Sequence, residues 1–399
     1  MTRYDFTTLR DRSTEGSAKW DLMKAARPDV PSGTVPFSIA DMEFVTAPPI
    51  VDALANAAQN QNLGYACSTP PYRDAVVSWQ ERRHHWRPQP EWIVDSPGIV
   101  PALSFAVRAY TEPGDRVVIQ SPVYPPFRAA IEDNGRIVAD APLILRPDGS
   151  YHMDFEALAA QLSRPDVGLM ILCNPHNPVG RVWTRAELER LGELCAQNAV
   201  SLVSDEIHGD LAQPGHEHVP MATAMPKGHE SDCLVCVAPS KTFNLAGLQC
   251  SSILIEDPER RAAFQRQLSL AGIHSLGCLA YVGAQAAYTQ CEPWLDELIG
   301  VIGENYALVR AHVAKRWPEA RLAPLEGTYI AWLDLRFTGA TPAEIQGACE
   351  ANALFFDFGP KFGPGGDGFV RWNLACPSWV IAEALPRLDS ALESIVEHR

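Results

Sequence analysis

The sequence contains no apolar run of about 20 residues, the length that a membrane-spanning helix requires. Its first twenty residues mix both charges and lack the apolar segment of a secretory signal, so we expect a cytoplasmic protein. Positive charge is also scarce, because 33 Lys and Arg face 48 Asp and Glu, for a net charge of −15 at pH 7. This excess of negative charge argues against a surface that binds nucleic acid or anionic lipid.

A disulfide framework is also absent from the pattern. Ten cysteines in a chain of 399 residues without an export signal are typical of reduced thiols. Cys233 and Cys236 have CxxC spacing, but they fall in an apolar run without a second ligand pair, so we expect them to pack in the core.

The histidine pairs give no metal signal either. The pairs are His84 with His85 and His216 with His218, and neither has the neighbours of a metal site. We interpret them as surface or loop histidines and predict no metal ion.

What the sequence does contain is a regular alternation of apolar strands and amphipathic helices. With 46% apolar residues, the chain can bury a sizeable core. The predicted strands span residues 116–120, 167–173, 200–203, 233–237 and 252–255. A capping box from Thr184 to Glu187 begins a helix between the second and third strands. The pattern predicts an α/β fold, with a mostly parallel sheet covered by helices on both faces.

The character of the sequence changes after Pro258. Long helical patterns continue to about residue 317, and a mixture of strands and helices follows, with strands predicted at 329–335 and 369–374 and a helix from 378. We therefore expect a second, smaller α+β domain.

The most specific chemical motif is Ala238-Pro-Ser-Lys-Thr-Phe-Asn-Leu-Ala-Gly247. It places Lys241 directly after a predicted buried strand and before a polar turn. A lysine partly desolvated at the end of a sheet has a lowered pKa, which Schiff-base formation with an aldehyde requires. An isolated lysine in such a turn is more often a surface residue, so the hypothesis depends on the motifs that accompany it.

A second motif, Ser204-Asp-Glu-Ile-His208, places two carboxylates directly after the third strand. Open α/β sheets bind ligands at the carboxyl ends of their strands. Since a buried carboxylate needs a cationic partner, this motif could hold a protonated pyridinium nitrogen. Taken alone, the motif is explained equally well as an acidic helix cap.

Three more segments could contribute to the same site. The tandem Asn-Pro pairs of Asn174-Pro-His-Asn-Pro-Val-Gly180 form a rigid turn that presents a side-chain amide. Pro97-Gly-Ile-Val-Pro101 precedes a helical pattern and is a generic anion site. Ser121-Pro-Val-Tyr-Pro-Pro126 offers an aromatic side chain that could lie against a planar ring or pack in the core.

Together, in this order and spacing, the five motifs resemble the fold-type I pyridoxal phosphate enzymes of the aminotransferase class I/II family, over nearly the whole chain. Within that family the sequence looks most like the branch of cystathionine β-lyases and related cysteine-conjugate C–S lyases, the MalY/PatB type. The branch signals are Ala40-Asp-Met-Glu-Phe44, Leu63-Gly-Tyr65, Ser240-Lys-Thr-Phe-Asn244 and Gly368-Phe-Val-Arg-Trp-Asn-Leu-Ala-Cys-Pro377.

The resemblance implies a role for each motif. Lys241 would bind the aldehyde of pyridoxal 5'-phosphate as a Schiff base, and Asp205 would pair with the pyridine nitrogen. Asn177 and His208 would contact the ring 3-oxygen. His208 departs from many aminotransferases, which carry a tyrosine three residues after the aspartate.

The resemblance also implies how the rest of the cofactor is held. Tyr124 would stack on the ring, Ile99 and Val100 would offer backbone amides to the phosphate, and Ser240 would offer a hydroxyl. Tyr65 would reach the phosphate of the neighbouring subunit, which implies a homodimer.

The resemblance also bears on two positions that would bind anionic groups, Gln249 at the phosphate and Arg371 at the substrate carboxylate. Many aminotransferases have a phosphate-binding arginine eight residues after the lysine, and this sequence has Gln249 there. Neutral donors and a helix N-terminus would therefore hold the phosphate. Arg371 matches the family arginine that binds the substrate α-carboxylate, together with Asn177.

The family also implies a division of the chain and an activity. Residues 1–45 would pack with the small domain of residues 286–399, and residues 46–285 would form the large cofactor domain. We expect a β-lyase that cleaves L-cystathionine or a related L-cysteine S-conjugate to a thiol, pyruvate and ammonia. The alternatives are an aminotransferase, whose motifs are nearly identical, and a non-catalytic binding protein, which retention of Lys241, Asp205 and Arg371 argues against.

Overall fold

The computed structural model describes residues 3–397. The helices of this part of the chain, α1 to α13, are Ala18–Ala26, Pro48–Asn60, Pro70–His84, Ile99–Tyr110, Pro125–Glu132, Phe155–Leu162, Arg185–Gln197, Pro239–Thr242, Pro258–Leu270, Cys278–Gln290, Glu292–Arg316, Pro342–Ala351 and Ser378–Val396. The strands, β1 to β13, are Ile93–Ser96, Arg116–Ile119, Ile137–Asp140, Ile144–Leu145, Tyr151–His152, Val167–Cys173, Ser201–Asp205, Cys233–Val237, Ser251–Leu254, Arg321–Leu322, Ile330–Asp334, Asp357–Phe358 and Phe369–Asn373.

The larger sheet has seven strands in the order β1-β9-β8-β7-β6-β2-β3. The pairs from β8 through β3 are parallel, and β9 runs antiparallel to both of its neighbours. The predicted mostly parallel α/β sheet is confirmed. The sequence predicted β9 as a strand without its direction, because a short apolar run looks the same in either direction.

The sheet is the middle of three layers because its strands are apolar on both faces. In β6, Met170 and Leu172 pack with one group of helices, which includes α3, α7 and α10. Leu169 and Ile171 point to the other side and pack with α4, α5 and α9. Side chains alternate across a strand, so a continuous apolar run supplies both cores.

A second, four-stranded sheet is antiparallel, with the order β10-β11-β13-β12. Trp332 on β11 and Phe369 on β13 stack with ring centroids 5.0 Å apart. This sheet, together with α11, α12 and α13, forms the α+β part that the C-terminal sequence predicted.

Residues 37–43, here called the strap, run along this second sheet. The Phe37 amide donates to Phe355, and the Glu43 amide donates to the carbonyl of Ala375 at 2.9 Å. Beside the strap, the buried Lys19 forms ion pairs with Asp41 at 3.0 Å and with Glu43 at 2.7 Å. These contacts fix the backbone of the strap.

The prediction of surface or loop histidines is wrong for His84, which is buried in α3, and His218 lies in a loop as expected but is buried there. His84 and His218 are buried, and they contact Asp210 at 2.7 Å and Glu206 at 2.9 Å. A carboxylate partner for each imidazole makes this burial tolerable. The sequence could not show these pairs, because no local spacing joins their members, which lie 126 and 12 residues apart.

Cys233 and Cys236 are buried in β8, as expected. Within residues 3–397, no helix combines the length and the apolar character needed to cross a membrane.

Candidate functional site

A cavity of about 650 Å³ opens at the carboxyl ends of the parallel strands. Such an edge is where open α/β sheets bind ligands. Nine of the ten site residues predicted from the sequence line it, and these are Ile99, Val100, Tyr124, Asn177, Asp205, His208, Ser240, Lys241 and Arg371. The tenth, Tyr65, lies outside.

Lys241 lies in the short helix α8, which begins directly after β8. Its ammonium group donates a hydrogen bond to the carbonyl of Ala40 on the strap. Burial, assisted by the nearby positive charge of Arg371, lowers the pKa of Lys241 to about 8. At pH 7 about one tenth of this side chain is therefore the neutral amine, which is the nucleophilic and basic form.

Asp205 is the last residue of β7 and is buried at the bottom of the cavity. Its carboxylate accepts a hydrogen bond from the Ile207 amide at 3.2 Å. Burial raises the pKa of Asp205 to about 7. The charge of Lys241 offsets this rise only in part, and among residues 3–397 Asp205 forms no ion pair, so a cationic group inside the cavity would satisfy it.

The opposite end of the cavity suits an anion. Helix α4 begins at Ile99, and its N-cap Gly98, at φ +137°, supplies no side chain to the first amides. Ser240 and Gln249 line the same end, whereas the arginine of many aminotransferases is missing. Backbone amides at a helix N-terminus and neutral donors can bind a phosphate group.

Arg371 lies on β13, and one neutral and one anionic side chain orient its guanidinium. One amino group donates to the side-chain oxygen of Asn177 at 3.0 Å, and the other donates to Asp357. Asp357 is directly opposite Arg371 in the β12–β13 pairing. An arginine held in this way is suited to bind a carboxylate through two parallel hydrogen bonds.

His208 and Tyr124 also line the cavity. His208 is buried, and its Nδ1 has no partner in the described part of the chain. Burial, with the charges of Lys241 and Arg371, holds the pKa of His208 well below its usual value, so the imidazole is neutral. Its ring contacts that of Tyr329 edge to face at 5.7 Å.

Sequence reasoning missed four residues of the site. Ala40 and Tyr329 meet at the strap, where the tyrosine hydroxyl donates to the Ala40 carbonyl at 2.8 Å. Asp357 and Lys361 form an ion pair at 2.7 Å beside Arg371. Ala40 belongs to the motif Ala40-Asp-Met-Glu-Phe44, to which the sequence assigned no role. No sequence signal pointed to Tyr329, Asp357 or Lys361 as site residues.

Tyr65 is fully exposed, at 109% of its reference area. It lines a neighbouring cavity of about 810 Å³, which shares Pro97 and Gln249 with the first one. This position is close to the anion-binding end of the site but on the outer surface of the chain.

The sheet edge, the lysine with a lowered pKa and the oriented arginine define an enzyme-type site for a small anionic substrate. Residues 33–354 match the family described as aminotransferase class I and II. The chain belongs to this family.

Three proteins show which members of the family this chain is similar to. The chain is 41% identical to cystathionine beta-lyase PatB of Bacillus subtilis, over 97% of this chain and 100% of that one. The structure of cystalysin from Treponema denticola, which contains a pyridoxal 5'-phosphate cofactor, has a TM-score of 0.96 and 38% identity and covers 98% of this chain and 99% of its own. The PLP-bound C–S lyase from Staphylococcus hominis has a TM-score of 0.90 and 29% identity, with 98% of each chain covered.

The residues of the cavity fit pyridoxal phosphate. The buried Asp205 lacks the cation that a protonated ring nitrogen would supply, and His208, whose Nδ1 has no partner in the described part of the chain, lines the same cavity. Lys241 offers an amine for the aldehyde, and the start of α4 offers amides for the phosphate. The cavity volume is also typical of a cofactor site.

Proposed function

We propose that this protein is a pyridoxal phosphate-dependent C–S β-lyase that cleaves L-cystathionine or related L-cysteine S-conjugates. The net reaction consumes one water and releases a thiol, pyruvate and ammonia. One observation carries the proposal: Lys241, with a pKa of about 8, shares one cavity with Asp205 and Arg371. Both named lyase relatives match this chain over nearly its whole length.

The cofactor, when bound, supplies an aldehyde for amines and a protonated ring that stabilises negative charge at the substrate α-carbon. Asp205 holds the proton at the ring nitrogen, because a carboxylate at that position stabilises the cation. Arg371 binds and orients the α-carboxylate of the substrate. The neutral Nζ of Lys241 accepts the α-proton of the substrate. The carbonyl of Ala40 orients this amine, because it accepts a hydrogen bond from one of its N–H groups.

His208, Asn177 and Tyr124 position the ring in this account. Asn177 also buttresses Arg371 at 3.0 Å, so one side chain links the cofactor end and the carboxylate end of the cavity. Ile99, Val100 and Ser240 bind the phosphate. A preorganised arrangement of this kind lowers the barrier because no reorientation is needed during the reaction.

The alternative is an aminotransferase, which would use the same lysine, aspartate and arginine. An aminotransferase needs a 2-oxo acid as amino-group acceptor and forms no thiol. The proposal is tested by following free thiol with a thiol reagent, with L-cystathionine and no oxo acid present. Continued thiol formation supports the lyase, and thiol formation that never exceeds the blank overturns it.

Replacement of Arg371 by lysine should raise KM for every amino acid substrate. The lysine keeps the charge but loses the two parallel hydrogen bonds, a loss that corresponds to about a 10- to 100-fold change. Steady-state kinetics on the Arg371→Lys variant measure this, with Arg316→Lys on the exposed side of α11 as the matched control. An unchanged KM would place the carboxylate site elsewhere.

The exposed position of Tyr65 supports a homodimer in which each subunit completes the site of the other. Tyr65→Ala should weaken cofactor binding about tenfold, since it removes one hydrogen bond to a charged group. Mixing this variant with Lys241→Ala should restore one tight, active site in each hybrid dimer. Sedimentation of a fully active monomer, or hybrids without recovered activity, would contradict the shared site.

We also infer a cytoplasmic location and a division at about residues 45 and 285. Both follow from the composition and from the family resemblance. Limited proteolysis that cuts first between α1 and α2 and between α9 and α10, the irregular segments nearest to these positions, would support the division.

A further inference from the structure

Arg371 already holds a carboxylate that belongs to the protein. Its ion pair with Asp357 is buried, with side-chain exposures of 6% and 5%. The two residues are fixed opposite each other across β12 and β13. An anion therefore lies on the guanidinium that the proposed function assigns to the substrate α-carboxylate.

Asp357 makes two further contacts at the cavity. Its Oδ1 accepts from Lys361 at 2.7 Å, and its Oδ2 accepts from the Ile39 amide at 2.9 Å. Lys361 is half exposed, at 55%, and it lines the cavity near its mouth. Burial opposes ionisation of Asp357, but Arg371 and Lys361 outweigh it and keep the pKa of Asp357 below its usual range.

The contact with Ile39 links this ion cluster to the strap. Ile39 is a β-branched residue at φ +48°, a left-handed conformation that is unfavourable for its side chain. The hydrogen bond from its amide to Asp357 helps to hold that conformation, and Ile39 lines the cavity. An asparagine at position 357 could accept the same hydrogen bond, so substitution by asparagine separates the charge from the anchoring role.

We propose that Asp357 is a resident counter-anion that limits how strongly Arg371 binds a ligand carboxylate, and that Lys361 acts on the same affinity in the opposite direction. Both are positioning residues, since they act through Arg371. The proposal rests on the proposed role of Arg371 as the carboxylate site.

The physical reason is the balance of charge around one guanidinium. A ligand carboxylate on Arg371 is repelled by Asp357, and this repulsion is strong where little water penetrates. Lys361 neutralises part of the charge of Asp357. With no ligand present, Asp357 compensates a buried arginine that would otherwise be an unpaired charge. The same repulsion helps a carboxylate product such as pyruvate to leave.

The test compares two variants of the cofactor-loaded enzyme with opposite expected results. Propionate serves as the probe, and its dissociation constant is measured by calorimetry and as a competitive inhibition constant. Asp357→Asn should lower that constant about tenfold. Lys361→Gln should raise it about threefold. General loosening of the site would weaken binding in both variants, so the opposite signs distinguish charge from structural damage. Propionamide, which has no charge, should show no such change.

A third variant separates the two proposals. If Arg371→Gln leaves propionate affinity unchanged, the proposed carboxylate site is wrong. If Arg371→Gln weakens propionate while Asp357→Asn fails to tighten it, the counter-anion proposal is overturned and the proposed function stands. If Asp357→Asn does not fold, Lys361→Gln decides: weaker propionate binding with unchanged propionamide binding supports the proposal, and unchanged or tighter propionate binding overturns it.

Discussion

Replacement of Lys241 by alanine should reduce turnover by at least about 10⁴-fold while the fold is kept. The variant loses both the amine that binds the cofactor aldehyde and the base that removes the α-proton. The fold should persist because a buried amine with a lowered pKa costs stability, and alanine removes that cost. Rates of pyruvate formation, with circular dichroism of the same sample, measure both expectations.

Lys227→Ala is the matched control for this loss, because Lys227 is an exposed lysine outside the cavity. It should retain full activity. Borohydride reduction followed by peptide mapping should label Lys241 in the native protein. A Lys241→Ala enzyme with turnover near that of the native protein would contradict the assignment, and a native protein without label on Lys241 would favour the non-catalytic alternative.

Substitution of Asp205 by asparagine should lower kcat by about 10²- to 10³-fold, the range typical of one lost electrostatic contact to the reacting system. The asparagine can still accept the amide hydrogen bond of Ile207 but cannot stabilise a protonated ring nitrogen. The loss should appear in kcat more than in KM. Asp133→Asn, at an exposed position after α5, is the control and should leave kcat unchanged.

The same variant should make the cofactor-free protein more stable. Burial raises the pKa of Asp205 from 3.8 to about 7, so the folded state binds more protons than the unfolded state between these values. Stability is therefore lost as pH rises from about 4 through 7, by up to about 4 kcal/mol. Denaturant unfolding of apoprotein should show Asp205→Asn gaining stability relative to the native protein by about 2 to 3 kcal/mol between pH 5 and pH 8, because the buried histidines add the same pH dependence to both proteins. An equal pH dependence in both would contradict the buried, unpaired carboxylate.

Much of the fold could be predicted because the relevant signals are local. The runs that form β6 and β8 are apolar at nearly every position, and their burial on both faces follows from that pattern. The capping box at Thr184 begins α7 as predicted. Asp205 ends β7 and Lys241 lies in α8 just after β8, so the parallel pairing of these two strands brings both residues to one edge.

The remaining features depend on long-range contacts. The role of Asp357 depends on its pairing with Arg371 on the neighbouring strand and on its hydrogen bond with Ile39, 318 residues earlier in the chain. His84 can be buried because its imidazole has a hydrogen-bond partner in the carboxylate of Asp210. No sequence pattern shows that pair. The direction of β9 was also open, since a short apolar strand carries no directional signal.

The account is tested most directly by supplying L-cystathionine to the purified, cofactor-loaded protein without any 2-oxo acid and measuring pyruvate and free ammonia over time. We expect both to be released in equal amounts, well beyond one equivalent per subunit. If release does not occur, while an amino acid shifts the cofactor absorbance and product forms only after an oxo acid is added, the protein is an aminotransferase and the lyase assignment is wrong.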